Sequence, residues 1–476
     1  MLASLRRRGH ARARAVHLGL SEPSRWRRPI ALPASWREHR PALGALVLLV
    51  LLLFPGAILR GRTFYLRDIH LQWHGQMESF VRAVASGSWP VWDPWISFGQ
   101  PLWANANNQL LYPTTWLNLV LPPWTVFTIF VAFHAVLGGA GVYFWSRRLG
   151  TSGAGAWVSA ALWTASGPLL SCVNLWNHYS GAAWMPWALL FADRALSTGR
   201  LPAALAWGAA MAAQLLSGSP DAFLMTSLLA AARVASFPWR ERVVGSSLPQ
   251  RAGLAAAAWA FALALSAGQW VPTLEVARAS SRWHLPFALR AAWSLPPAGL
   301  LQALLPMTWN SPALTPESRA ALFGTREPLL MSVYVGLPAV ALVAASIATR
   351  RRREAAFFAS AGMAAVVLAL GSHTPAYELI TRLLPPLAMV RYPSKAMIVV
   401  ALCWAVVAGM GFDAWRESGP ADGAWPRWRV AAPMAAALGL STAAGILLLR
   451  GGGPGAISSA AWGVVPALIL GLRCSA

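Results

Sequence analysis

Apolar runs close to the roughly 20 residues that cross a bilayer recur along almost the whole chain, beginning with "ALGALVLLVLLLFPGAIL" at 42–59. The runs are continuous and rich in Leu and Ala. They do not alternate in segments of about 10 residues, as the strands of a membrane barrel do. Of the 476 residues, 57% are hydrophobic and 12% charged, against about 25% charged in a soluble domain. The pattern predicts an all-α polytopic membrane protein.

Twelve spans can be read, near 42–59, 124–145, 153–171, 181–197, 201–217, 220–236, 253–271, 329–348, 355–371, 396–413, 430–449 and 456–472. The connections sort by charge. With the N-terminus inside, the segments 1–41, 146–152, 193–200, 233–252, 349–354, 414–429 and the C-terminal tail hold most of the arginines, as the positive-inside rule requires. "TRRRRE" (349–354) and "PWRERVV" (238–244) are the clearest anchors. Residues 1–41 read as a basic, disordered cytoplasmic tail, and 42–476 as one transmembrane domain. Three substantial segments fall outside, at 60–123, 272–328 and 372–395. The outside segments hold Asp68, Glu78, Asp93, Asp221, Glu275, Glu317, Glu327 and Glu378. Polar chemistry is therefore expected on the extracytoplasmic face, where a substrate is a lipid or is carried by one.

The net charge of +23 follows from 39 basic and 16 acidic residues. In a soluble protein it would point to nucleic acid; here it is explained by topology. Lys395 is the only lysine. Cys172, Cys403 and Cys474 form no Cys-x-x-Cys or Cys/His spacing, so no zinc site is expected.

The first outer segment opens with "YLRDIHLQWHGQMESFVRAVASG", in which Ile69, Trp73, Phe80 and Val84 recur near helical spacing and Gly87 ends the pattern. An interfacial helix is expected there, with Glu78 and Arg82 facing water or the site. Asp68 stands where the first span leaves the bilayer. A carboxylate at such a boundary can serve as a general base, or it can simply pair with Arg67. His70 and His74, four apart, share a face as metal ligands do, but no confirming motif accompanies them and they read as interfacial. "SWPVWDPWISFGQPLWANANNQLLYPTTW" follows, a rigid loop of rings and amides. Irregular backbone at membrane depth persists only when buried in protein or lining a wet cavity. Glu275, Arg278 and Arg282 fall on one helical face, either as an internal ion pair or as cavity groups. Arg391 and Lys395 stand at the mouth of a span, placed to hold a lipid phosphate or to snorkel.

Taken in order, "YLRDIHLQW", "WPVWDPWISFGQPLWANANNQLLYPTTWL", "SGSPDAF", "GQWVPTLEVARASSR", "EPLLMSVYVGLPAVAL" and "LGSHTPAYELITRLLPPLAMVRYPSKAM" resemble the YfhO-like bacterial membrane proteins, within the GT-C class of glycosyltransferases. The pieces span roughly residues 60 to 413. The resemblance implies a GT-C-like fold of about twelve spans with a large first outer loop, in the bacterial cytoplasmic membrane. It implies a polyprenyl-phosphate-linked sugar donor and an extracytoplasmic glycan or glycoprotein acceptor. Asp68 would be the catalytic base. Arg391, Lys395 and, less directly, Arg282 would bind the donor phosphate, while Glu275, Asp221, Asn107, Gln109, Tyr112 and Trp92 would line the cavity. Some GT-C enzymes use a divalent cation such as Mg or Mn. No acidic pair adjoins Asp68, so no metal site or other cofactor is expected. The rival readings are a transporter of a lipid-linked glycan and a non-catalytic assembly subunit. A transporter is expected to show an internal repeat and mid-membrane ionisable residues; no repeat is visible, and nearly every acid lies in a loop or at a span end.

Overall fold

The computed structural model describes residues 36–241, 247–305, 307–311, 314–383, 391–418, 431–436 and 439. The expected spans over 430–449 and 456–472 and the tail over 1–41 lie outside those residues, apart from a helical piece at 431–436 and the residues from 36 onward. The chain divides into two units, Met1–Arg40 and Pro41–Ala476. Of the first, Trp36–Glu38 forms a 3-10 turn.

The fold is all-α and polytopic. Its helices are α1 (Arg40–Leu53), α2 (His74–Ala85), α3 (Pro123–Arg148), α4 (Gly153–Thr164), α5 (Trp176–Thr198), α6 (Leu201–Leu216), α7 (Pro220–Glu241), α8 (Leu248–Leu265), α9 (Ala267–Arg278), α10 (Leu337–Ala345), α11 (Arg352–Ala369), α12 (Pro375–Leu383) and α13 (Met397–Glu417), with shorter helical turns between them. Proline stands in the first turn of α3, α6, α7, α8 and α10, where its missing N–H has no helical partner to lose. Among the described residues the one sheet is a two-stranded antiparallel ribbon, β1 (Trp92–Asp93) with β2 (Gln100–Pro101). Among the described residues three helical stretches are long and apolar enough to cross a membrane: Pro123–Arg148, Gly153–Asn174 and Pro393–Glu417. Shorter apolar helices, Arg40–Leu53, Leu201–Leu216 and Leu337–Ala348, stand where further spans were expected. The core gathers α3, α4, α5, α6 and α13 around Trp145, Trp163 and Trp207. Helix α13 is buried on nearly all sides, from Met397 to Gly411, as a helix that is apolar all round must be.

Two expected spans are broken. The run at 253–271 divides at Ser266 into α8 and α9, bent by 77°. Pro272 has no N–H to give the Gly268 carbonyl four residues back, and that carbonyl instead accepts from Trp103 Nε1 at 2.8 Å. The run at 329–348 is helical only from Leu337. Residues 329–336 are irregular, and their polar backbone is satisfied inside the protein. Gly167 N donates to Tyr334 O at 2.7 Å, Val335 N to Ala303 O at 3.1 Å, and Ser171 Oγ to Ser332 O at 3.0 Å. Buried partners of this kind are what irregular backbone at membrane depth requires.

The helix ends sort as the charges did. Arg351 donates to Gly150 O, and Asp413 accepts from Ser152 N at 2.7 Å and from Ser152 Oγ at 2.5 Å. Two segments expected on the inside face, 146–152 and 349–354, therefore meet, with the last turns of α13 beside them. Arg233, 1% exposed, forks onto Asp193 at 2.8 and 2.6 Å and reaches Glu354 at 3.2 Å. It lies about 20 Å along α7 from the start of that helix, at 1.5 Å per residue.

Candidate functional site

At the opposite ends of these helices lies a cavity of about 900 Å³. The first outer segment supplies one wall. After α1 the chain turns through Arg67, held at φ 41, and Asp68 leads into a single π-helical turn, Ile69–Trp73. That turn continues without a break into α2. Ile69, Trp73, Met77 and Phe80 are buried along one face, so the expected helix packs on protein rather than lying bare on a membrane. Gly87, at φ 76, follows its end. This anchoring places Asp68 on the cavity wall, half-buried.

Among the described residues no hydrogen bond or ion pair engages the Asp68 carboxylate. The ion pair considered for it with Arg67 is not formed. Arg67 instead lies 4.0 Å from Glu327 and donates to Pro328 O at 3.4 Å. Gln76, two turns further along the same helical face, lines the cavity, and its buried Oε1 has no hydrogen-bond partner.

The ribbon and the loop after it form the polar wall. Asp93 fixes the ribbon: it is fully buried and accepts from Ser79 Oγ and Trp95 N, each at 3.0 Å. Asn107 lines the cavity; its Oδ1 accepts from Asn177 Nδ2 at 2.9 Å, and its carbonyl from Trp176 Nε1 at 2.7 Å. Gly218, at φ 72, lies so close to Ala106 O that no Cβ fits between them. That contact seats the N-terminus of α7, and with it Asp221, beside the loop.

Part of the lining is cationic. Arg282, Arg391 and Lys395 all line the cavity, and so does Asp221. Lys395 sits in the turn Pro393–Ala396 that opens α13, behind Tyr392, which is held at φ 67. Tyr392 N donates to Arg290 O at 2.9 Å, and its ring meets Trp293 edge-on at 4.5 Å. Lys395, 4% exposed, donates to Asp221 Oδ2, and His178 Nε2 lies 3.5 Å from the same oxygen. The Arg391 guanidinium lies 4.8 Å from the Tyr392 ring centre. Burial, then the like charge of Arg391, pulls Arg282 below the usual guanidinium range. Three cations and one carboxylate thus gather in the cavity that Asp68 also lines.

The backbone is unusual here. Among the described residues six non-glycine residues have positive φ, and four of them, Arg67, Ser97, Trp293 and Tyr392, line this cavity. Left-handed backbone costs about 1–3 kcal/mol for an ordinary residue and gathers where a site fixes it.

Asp68, Asp221, Arg282, Arg391, Lys395 and Asn107 are therefore brought together from five stretches of sequence. Four other expected lining residues are placed elsewhere. Gln109 is buried behind the wall and donates to Ser217 O at 2.6 Å and Ser180 Oγ at 3.2 Å. Tyr112 lies in the core, with its hydroxyl 2.7 Å from His134 Nε2 and accepting from Trp184 Nε1 at 2.8 Å; burial raises its phenol above the usual value. Glu275 is exposed on α9 and does not line the cavity. Trp92 is exposed on the ribbon, its ring lying against Gly99, where a Cβ would come within 2.7 Å. The shared face of Glu275, Arg278 and Arg282 is also broken, because α9 ends at Arg278 and Arg282 falls in the turn Ser281–His284. His70 stacks on Tyr65 at 3.9 Å and His74 on Trp124 at 6.1 Å; neither lines the cavity. His178 was not singled out from sequence. Its only signal is a histidine in "WNHYSG", at the head of an apolar run. Among the described residues no group of three or more His, Cys, Asp or Glu could hold a metal ion.

No family model matches the chain, and no curated protein matches it. Among the solved structures that overlap it are two membrane proteins. One is the archaeal oligosaccharyltransferase AglB from Archaeoglobus fulgidus, in complex with an inhibitory peptide and a dolichol-phosphate, at 14% identity and a TM-score of 0.46, over 90% of this chain and 56% of that one. The other is ArnT from Cupriavidus metallidurans bound to undecaprenyl phosphate, at 14% identity and a TM-score of 0.42, over 92% of this chain and 77% of that one. The chain thus spans little more than half the length of AglB.

Proposed function

We propose that the chain is a GT-C-type membrane glycosyltransferase that moves a sugar from a polyprenyl-phosphate-linked donor to an extracytoplasmic cell-envelope acceptor. One observation supports the reading: a single cavity is lined by the unpaired carboxylate of Asp68 and by Arg282, Arg391 and Lys395. A transfer of this kind needs a base at one pole and a home for a departing phosphate at the other.

In the proposed reaction Asp68 accepts the proton of an acceptor hydroxyl. The oxygen bonds to the anomeric carbon while the bond from that carbon to the lipid phosphate oxygen breaks. Attack from the face away from the phosphate inverts the anomeric centre. Negative charge grows on the departing phosphate, where prearranged cations stabilise it most. Arg391 is the foremost of these, since Lys395 is already engaged by Asp221. The amides of Gln76 and Asn107 are placed to meet sugar hydroxyls. The reading routes no step through a divalent cation.

The test is transfer itself. Proteoliposomes carrying the protein, a labelled polyprenyl-phosphate sugar and envelope glycan from a strain lacking the gene should yield labelled glycan. Translocation of the labelled lipid with no new glycosidic bond would replace the reading with a transporter.

A further inference from the structure

A second cleft, of about 350 Å³, adjoins the cavity. Three stretches of chain line both. Arg67 and Asp68, Leu175, and Leu329 line the cavity, while Leu66 and Ile69, Asn174, and Met331 line the cleft. Leu66 in the cleft and Leu71 in the cavity are 43% and 69% exposed. Both hollows therefore open beside one short segment, with Asp68 between them.

The cleft is mostly apolar, with Leu66, Ile69, Leu170, Val173 and Met331 in its lining. It follows the span Gly153–Asn174 from Ala165 to the end of that span, a depth at which an open side meets lipid. Ser171 and Ser332 also line it, but they bond to each other. Asn174 is the exception. It is 3% exposed, and neither its Nδ2 nor its Oδ1 has a hydrogen-bond partner among the described residues. A buried amide left unsatisfied is rare and costly. An amide donates and accepts, so it suits a hydroxyl, an ester or another amide. A long apolar wall ending in such a group matches a lipid chain and the polar link that joins it to a headgroup.

Chain placement says which lipid. Among the described residues, the stretches that carry Arg282, Arg391 and Lys395 give the cleft no lining residue, whereas the stretch that carries Asp68 does. A donor's chain is bonded to the phosphate that those cations would hold. It is the acceptor that must bring its hydroxyl to Asp68.

We propose that the cleft binds the lipid chain of the acceptor, so that the sugar passes to a lipid-anchored glycan whose polar link is held by Asn174. This rests on reading Asp68 and the three cations as the transfer site.

The experiment uses envelope glycan from a strain lacking the gene, once as a solvent-extracted lipid-anchored fraction and once with its lipid chains removed. Each is offered with labelled donor to proteoliposomes of the full-length protein. The lipid-anchored form should show a kcat/KM at least about ten-fold higher, since burying two methylene groups already gives that much. Confinement to the membrane also raises this ratio, so substitutions decide the assignment. Ala165→Phe, which puts a ring into the cleft, should lower kcat/KM for the anchored form about ten-fold. Asn174→Leu should raise KM for the anchored form several-fold with no loss of thermal stability, because an unpartnered buried amide contributes none. Equal use of the two forms by the wild type, or a preference that survives both substitutions, overturns the inference and leaves the transfer reading standing. So does a rise in donor KM in place of the acceptor effect, which would give the cleft to the donor's chain. No labelled glycan in any fraction overturns the transfer reading itself, and this inference with it.

Discussion

Arg67 turns away from its chain neighbour Asp68 and pairs with Glu327, 4.0 Å away and far along the sequence. A left-handed backbone at Arg67, φ 41, accompanies that turn. The Asp68 carboxylate is thereby left without an ion pair to the arginine beside it in the chain. Glu327→Gln should release Arg67 towards Asp68 and lower turnover several-fold, with little loss of stability, since the pair is half exposed and such pairs contribute only about 0–1 kcal/mol. Steady-state rates and thermal unfolding, measured side by side, check this; unchanged turnover would count against Arg67 having a second possible partner in Asp68.

Asp68→Asn keeps the shape of the side chain and removes its basicity. Transfer should fall by about 100-fold or more, the usual contribution of a positioned general base, while insertion and yield stay as in the wild type. A labelled-donor assay in proteoliposomes reads this directly. Full activity would return Asp68 to a structural role.

Arg391→Ala should raise KM for the lipid donor by about ten-fold, the scale of a charge-assisted phosphate contact, and leave KM for the acceptor unchanged. Arg282→Ala should act in the same direction with smaller effect, because Arg282 is already the less favourably placed cation, desolvated and repelled by Arg391. A defect confined to the acceptor would remove both from the phosphate site.

Much of this site could be read in the sequence because its parts sit at span ends. Charge counting placed Asp68, Asp221, Arg391 and Lys395 on one face, and local spacing marked the helix after Asp68. What could not be read depends on contacts between distant stretches. Lys395 and Asp221 are 174 residues apart, and nothing local says that one engages the other. Gln109 and Tyr112 look like loop residues, yet Ser217, Ser180, His134 and Trp184 draw them into the interior. The run at 253–271 is apolar enough for one span, and nothing local marks the bend at Ser266 or the distant Trp103 that donates to Gly268 O beyond it. The irregular stretch 329–336 is as hydrophobic as a helix, and only its partners at Gly167, Ser171 and Ala303 reveal it.

Arg233→Ala should destabilise the protein by about 3–5 kcal/mol, because it strands Asp193 and Glu354 without their buried cation. Thermal unfolding in detergent measures the loss. The folded fraction should keep its donor KM, since Arg233 does not line the cavity.

The left-handed residues around the cavity set a rule for anyone building variant libraries of this protein. At Arg67, Ser97, Trp293 and Tyr392 the main chain, more than the side chain, decides which substitutions survive. Surviving clones at these four codons should be rich in Gly, Asn and Asp and poor in Val, Ile and Thr, because β-branched residues fit that backbone worst. Diversity for new sugars is better introduced at Gln72, Gln76, Asn105 and Thr273, which face the same space from ordinary backbone.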